Sequence, residues 1–311
     1  MPAPVTRDLP TSGPFNFALT GEVLARLPAF NALERFTPAA VAEDGIARHE
    51  RALLTPAGVV AVRATALPAA EGNAGGPDGG VRLQLAGPAA AWPAVTAWAE
   101  PAFGLRADPS AFEAIAARDR LLAPAVEALR GLRPPVSEPW EAMVGAIVSQ
   151  QITLRLALRQ LEALARQFGG QLPQPTPDPL GRGDWPIHPT PLAILEADPA
   201  ALRGLGLSGV KVAALKGAAS AALDGTLDRA ATLEAGAAVA LLTALRGIGP
   251  WTARYWLTAI GRFEALATTD AGLRGAYRAL NNDLEGLDAW AESLGETRGW
   301  AYWYLIWRAK R

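Results

Sequence analysis

The sequence predicts an α+β N-terminal domain, an antiparallel sheet with helices, followed by an all-α domain. Three observations carry this. Residues 46–54, 59–67 and 81–85 read as short strands, the second and third joined by the Gly-rich segment Gly72–Gly80, and residues 88–99 fit a helix laid across them. From Asp108 the apolar spacing is helical almost to the end. Within that region, residues 241–260 read as two helices either side of a tight Gly247-Ile248-Gly249 hairpin. The expected domains are residues 14–107 and 108–311.

Taken in order, residues 1–14 look like a disordered leader, and Phe15 to Leu27 open an apolar segment. The strands and their covering helix end near Leu105. Asp108-Pro-Ser starts one helix and Ala123–Leu132 forms another. The run beginning at Trp140 pauses at Ser149, Gln150, Gln151 and Thr153, then resumes through Phe168. The Pro-rich stretch Gln171–Pro191 reads as an ordered surface crossing, because Trp185, Ile187 and Leu192 are too apolar for a free linker. Leu195–Leu205 and Lys211–Leu223 supply one helix each. The aromatic run Trp300–Trp307 would aggregate as an exposed patch, so most of it must pack inside.

At 311 residues the chain can bury two cores. It has no apolar run of membrane-spanning length and no signal-peptide pattern, and so reads as soluble and cytoplasmic. With no cysteine it has no disulfide, thiolate nucleophile, Cys-ligated zinc or iron–sulfur cluster. The formal net charge of −1 is not that of a strongly basic nucleic-acid binder. The balance shifts locally: Arg203, Lys211, Lys216, Arg229, Arg246, Arg254, Arg262, Arg274 and Arg278 face only Asp224, Asp228, Glu234, Glu264 and Asp270 over residues 203–278.

The hairpin fits a close backbone approach. Gly247 and Gly249 bring no Cβ and can take positive φ, while Ile248 plugs the turn into the core. Pro250 suits the first turn of the second helix, whose free N–H groups and dipole suit a phosphate. Further on, Thr268-Thr269-Asp270 precedes a helical pattern, with Asp270 at the N-cap position.

LRGIGPWTA followed by TD, with 270 − 249 = 21 positions between the second glycine and the acid, resembles the helix-hairpin-helix base-excision DNA glycosylases. Pro189-Thr-Pro-Leu, Asp198-Pro-Ala and Gly206-Leu-Ser are similar to the same family, and the alkylbase branch has a sheet-plus-helix domain at the N-terminal position, so the resemblance spans residues 14–307. It implies a fold with the hairpin gripping DNA through Arg246, Gly247, Ile248 and Gly249, and Asp270 as the catalytic carboxylate. Cleaving an N-glycosidic bond builds positive charge on the sugar. At about 4 Å and an effective dielectric near 20, a fixed anion stabilises it by roughly 4 kcal/mol, about three decades of rate.

Further roles follow from the same resemblance. Trp251 and Tyr255, four apart on one helix face, would line a base pocket, and electron-rich rings suit cationic 3-methyladenine and 7-methylguanine. Gln151 matches the residue pushed into the duplex in place of the flipped base. The carbonyls of Thr243, Leu245 and Ile248 match positions that hold a monovalent cation beside a phosphate. Relatives that also cut the strand carry a lysine where this chain has Trp251; its lysines are Lys211, Lys216 and Lys310.

The implied activity is therefore monofunctional: water-driven release of alkylated bases from double-stranded DNA by a monomer, leaving an abasic site. Two departures stand out. Arg246 replaces a usual proline, and Glu296-Thr-Arg-Gly-Trp-Ala-Tyr-Trp matches the usual Pro-aromatic-Arg-Gly-Tyr-Ala-Ala-Trp pattern only from Arg298. The rival readings are a non-catalytic DNA-binding module, and a glycosylase for neutral oxidised or deaminated bases, which would want more hydrogen-bonding groups in the pocket.

Overall fold

The computed structural model describes residues 5–25, 33–69, 78–170 and 185–309. Five strands, β1 (Val5–Pro10), β2 (Glu34–Thr37), β3 (Arg48–Thr55), β4 (Gly58–Pro68) and β5 (Asp78–Ala86), form one antiparallel sheet in the order β1-β5-β4-β3-β2. Period-two alternation along β4 gives the sheet two apolar faces. Val60, Val62 and Ala64 pack with α1 (Phe17–Leu24) and α2 (Trp92–Ala102), whereas Ala61, with Ala52 and Ala86, meets Trp185 and Ile187 on the other side.

Two strands lie outside the sequence expectation. The expected leader contains β1, paired with β5 from Val5↔Leu85 to Pro10↔Gly80. Only Leu9 of that strand is buried, so it carries no alternating signal, and its closing proline suits an edge. β2 is four residues long and pairs with β3 from Glu34↔Arg51 to Thr37↔Arg48. Most of the Gly72–Gly80 connection lies outside the described residues, but Asp78 to Gly80 already belong to β5. Residues 171–184 of the Pro-rich stretch also lie outside them; beyond it, Trp185 and Ile187 are buried and Leu192 is exposed.

The remainder is helical: α3 (Ser110–Ala116), α4 (Leu122–Ala128), α5 (Pro139–Ser149), α6 (Leu154–Phe168), α7 (Pro191–Glu196), α8 (Pro199–Gly204), α9 (Gly209–Leu223), α10 (Thr226–Thr232), α11 (Ala235–Thr243), α12 (Pro250–Ala259), α13 (Ala271–Asn281), α14 (Leu287–Ser293) and α15 (Arg298–Ala309). The single helix expected over 195–205 is two, because Asp198-Pro199 stops α7 and restarts the chain as the N-cap and first turn of α8.

Two apolar clusters fill this region. One joins α5, α6, α9, α11 and α12; the other joins α3, α4, α13 and the aromatic α15, with Leu19 and Val23 of α1. Helix α12 stands between them. It gives Ala253, Trp256 and Leu257 to the first cluster and Tyr255 to the second, and its Trp256 Nε1 donates to the Pro139 carbonyl at 2.7 Å.

The sheet is tied to the helices by buried charge. Arg51 on β3 donates to Glu34 at 2.7 Å and to Glu141 on α5, and His49 Nε2 lies 3.0 Å from Glu34. Two opposed carboxylates keep the buried guanidinium charged, raising its pKa against the opposing effect of burial. The wholly buried Arg133 donates to the carbonyls of Pro14 (2.9 Å), Ser12 (2.6 Å) and Ala107.

Candidate active site and nucleic-acid interface

The hairpin between α11 and α12 turns at Gly247, whose φ of +84° favours glycine; a Cβ there would meet the Ala214 Cβ on α9 at 2.8 Å. Gly249 could take positive φ but does not. Its φ of −95° and ψ of 174° are extended, and a Cβ added to it would find open space. Ile248 is buried in the first helical cluster. Gly249 is the N-cap of α12, and no side chain caps this end. In contrast, Thr153, Thr190, Asp198, Ser208, Glu234 and Asp270 cap α6, α7, α8, α9, α11 and α13. The first-turn amides of α12 are thus left for an outside acceptor, with Arg246 and Arg254 exposed nearby in sequence.

The α5–α6 turn is fastened to the hairpin by Gln150, which carries no expected role. Gln150 Nε2 donates to the Gly247 carbonyl and to Thr252 Oγ1, both at 2.9 Å. The next residue, Gln151, is exposed with φ +53°, which a non-glycine residue rarely adopts. Gln151 therefore stands out from the turn whose base Gln150 anchors. Lys211 Nζ, also buried, donates to the Val148 carbonyl at 2.7 Å in the last turn of α5.

Asp270 is the N-cap of α13 and is 8% exposed. Its Oδ1 accepts from the Leu273 amide at 2.8 Å and its Oδ2 from Trp251 Nε1 at 3.0 Å. One carboxylate oxygen is thereby held by α13 and the other by α12. The Trp251 ring stacks on Tyr255 with centroids 5.2 Å apart and planes 21° from parallel. The expected aromatic pair is present, but its rings lie on each other, and Trp251 also orients the acid.

Between α12 and α15 is a cavity of about 10 Å³ lined by Tyr255, Thr258, Ala259, Leu266, Ala267, Tyr302 and Trp303, and Asp270 does not line it. That is room for about one water. Burial, with the Asp270 charge adding to it, pushes the Tyr255 hydroxyl well above its usual range. Burial does the same to Tyr302, helped by Asp270 and Tyr255, and both phenols therefore stay protonated.

Sequence reasoning assigned nothing to Tyr302 or Trp303. The available signal was the departure around Arg298, where Tyr302 stands at a position at which the family pattern has alanine. Of the proposed cation ligands, the Leu245 carbonyl accepts the Ile248 amide at 3.1 Å, and those of Thr243 and Ile248 accept no backbone amide outside a helix among the described residues. Among the described residues there is no cluster of three or more His, Cys, Asp or Glu that could hold a metal, and no helix is long and apolar enough to cross a membrane.

The glycine hairpin is thus held against α5 and α9, with an acid capping the helix that follows α12. Residues 144–286 match the family model described as HhH-GPD superfamily base excision DNA repair protein. The chain is 33% identical over 130 residues to DNA-3-methyladenine glycosylase 2 of Escherichia coli (strain K12), covering 40% of this chain and 43% of that protein. Such alignments span about half the length of the curated relatives, 43% and 58%.

Its fold is similar to that of the 3-methyladenine DNA-glycosylase from Archaeoglobus fulgidus, with a TM-score of 0.75 at 23% identity over 98% of both chains. It is also similar to the Schizosaccharomyces pombe 3-methyladenine DNA glycosylase (Mag1) in complex with abasic DNA, with a TM-score of 0.53 at 24% identity over 65% of this chain and 97% of that one. At these identities the likeness is one of fold.

Proposed function

We propose that this protein is a monofunctional DNA glycosylase that hydrolyses the N-glycosidic bond of alkylated purines in double-stranded DNA. The observation that carries this reading is the Asp270 carboxylate, fixed at both oxygens by the Leu273 amide and by Trp251 Nε1, whose ring stacks on Tyr255. The uncapped start of α12 supports a phosphate contact, with the carbonyls of Thr243, Leu245 and Ile248 as the place where a monovalent cation would sit between hairpin and phosphate. Neutral carbonyl oxygens suit such an ion. The exposed, left-handed Gln151 supports a wedge filling the stack when the damaged nucleotide leaves it.

The chemistry follows from these placements. The C1′–N bond breaks with its electron pair staying on the base, so a cationic alkylpurine departs neutral. Positive charge appears on the sugar beside Asp270, which lowers its energy. A water oxygen then bonds to C1′, and its proton passes to the carboxylate and on to solvent. Trp251 occupies the position where an amine would be needed for a Schiff base, so the reaction ends at the abasic site. In this reading the enzyme acts as a cytoplasmic monomer.

The test is chromatography of the bases freed from methylated duplex DNA. Free 3-methyladenine and 7-methylguanine, with strand breaks appearing only after alkali, are expected. Duplex binding without base release would replace this reading with a DNA-binding module, and breaks before alkali would refute the monofunctional assignment.

A further inference from the structure

The short α5–α6 turn is held from beneath by a charge that the chemistry above does not use. Lys211 stands in the first turn of α9, where the helix dipole disfavours a cation, and only 8% of it is exposed. Burial lowers its pKa, and no neighbouring carboxylate opposes that effect among the described residues. Neither its own helix nor a counter-charge therefore accounts for an ammonium in this place. What it meets is the Val148 carbonyl, at 2.7 Å in the last turn of α5, which accepts no amide from the turn that follows among the described residues. A cation suits that end of a helix. Three residues on from Val148, Gln151 is exposed with φ +53°, a conformation that a residue with a side chain keeps only where its surroundings hold it. The start of α9 also backs the hairpin: a Cβ on Gly247 would lie 2.8 Å from the Ala214 Cβ and 3.5 Å from the Val210 carbonyl oxygen.

We infer that Lys211 is a positioning residue for Gln151: its ammonium, seated on the Val148 carbonyl, fixes the α5–α6 turn in the form that presents the glutamine to DNA, and so sets the preference for duplex with a missing base over intact duplex. This rests on the proposed glycosylase reading, in which Gln151 fills the space that the damaged nucleotide leaves. Buried beneath the turn, Lys211 acts through it and not on DNA itself. Its contribution is preorganisation: a side chain already held in the inserting conformation gives up less freedom on binding than one carried by a loose turn. An abasic site offers a gap that a fixed glutamine can fill, whereas an intact stack offers none, so only the damaged duplex gains. Because α9 holds the turn through Lys211 and backs Gly247 through Ala214, Gln151 and the hairpin keep a fixed spacing along the DNA.

The experiment measures affinity for an abasic-site duplex and for the intact duplex of the same sequence by fluorescence anisotropy, with thermal melts to fix a temperature at which every variant is folded. The variants are Lys211→Met, which keeps the apolar stem and loses the charge, Lys211→Arg, which keeps a charged donor, Gln151→Ala, and Lys211→Met combined with Gln151→Ala. Lys211→Met and Gln151→Ala are each expected to lower the abasic-over-intact preference about 10-fold, the double variant to lose no more than either alone, and Lys211→Arg to stay within about 3-fold of the wild type. Losses that add in the double variant assign Lys211 to something other than Gln151 and overturn the inference, as do equal losses on both duplexes or an unchanged preference in either single variant. Should Lys211→Met not fold, Lys211→Gln, uncharged and one bond shorter, takes its place with the same expected outcome. Release of 3-methyladenine from methylated duplex is scored alongside. A wild type that frees the base, with Lys211→Met keeping its abasic preference, overturns the inference and leaves the glycosylase reading intact. A wild type that frees no base removes the glycosylase reading and this inference with it.

Discussion

Replacing Trp251 with phenylalanine separates two roles that share one side chain. The benzyl ring retains a face for the stack on Tyr255, now at 5.2 Å, while the indole N–H that reaches Asp270 Oδ2 at 3.0 Å is lost. The other carboxylate oxygen keeps its bond from the Leu273 amide, so the acid stays in place but can rotate. A hydrogen bond to a charged group contributes about 1.5–3 kcal/mol. At roughly 1.4 kcal/mol per decade, losing it slows the chemical step by about 10- to 100-fold. The assay is single-turnover release of 3-methyladenine with enzyme in excess, alongside affinity for an abasic-site duplex measured by fluorescence anisotropy. The expected result is a slowed rate with affinity within about 3-fold of the wild type. A rate within about 3-fold of the wild type would refute the argument that Trp251 positions the acid.

The hairpin and the junction between sheet and helices make further predictions. Gly247→Ala, with φ at +84° and a Cβ meeting Ala214 at 2.8 Å, should destabilise the fold by about 1–3 kcal/mol in denaturant unfolding. Gly249→Ala, whose Cβ meets nothing, should unfold like the wild type yet bind duplex more weakly, because in the proposed reading the added methyl stands where a phosphate would approach. Gln150→Leu removes the bonds to the Gly247 carbonyl and Thr252 and should cost about 1–3 kcal/mol, whereas Gln151→Ala should leave the melting temperature unchanged and weaken abasic-duplex binding. Arg51→Met strands the carboxylates of Glu34 and Glu141 and should cost about 3–5 kcal/mol, readable as a lowered denaturant midpoint.

What the sequence revealed, and what it hid, follows from the range of the interactions involved. The hairpin was legible because glycine and proline signal backbone geometry locally. Asp270 was legible because an acid before a helical pattern is a local capping signal, and the structure places it at that cap. Strands β3 to β5 announced themselves by residue type. Strand β1 did not, because its place on the sheet edge is fixed by pairing with β5 at least 70 residues away, as from Pro10 to Gly80, and its own side chains mostly face outward. The Gln150 clamp and the Trp251–Asp270 bond join residues far apart in sequence, and nothing in either neighbourhood signals them. Tyr302 was visible only as a mismatch to a pattern. Its meaning depends on α15 lying against α12, which residue spacing alone cannot supply.

In the proposed glycosylase, Asp270 performs the chemistry beside a DNA-gripping hairpin. The most direct test of this is base release from methylated duplex DNA by the wild type and by Asp270→Asn, with strand breaks scored before and after alkali and duplex binding measured in parallel. Asparagine keeps an oxygen to cap α13 but carries no charge. The wild type is expected to free alkylated bases and yield breaks only after alkali, while Asp270→Asn binds the duplex and frees bases about three decades more slowly. Release by Asp270→Asn at the wild-type rate would contradict that role.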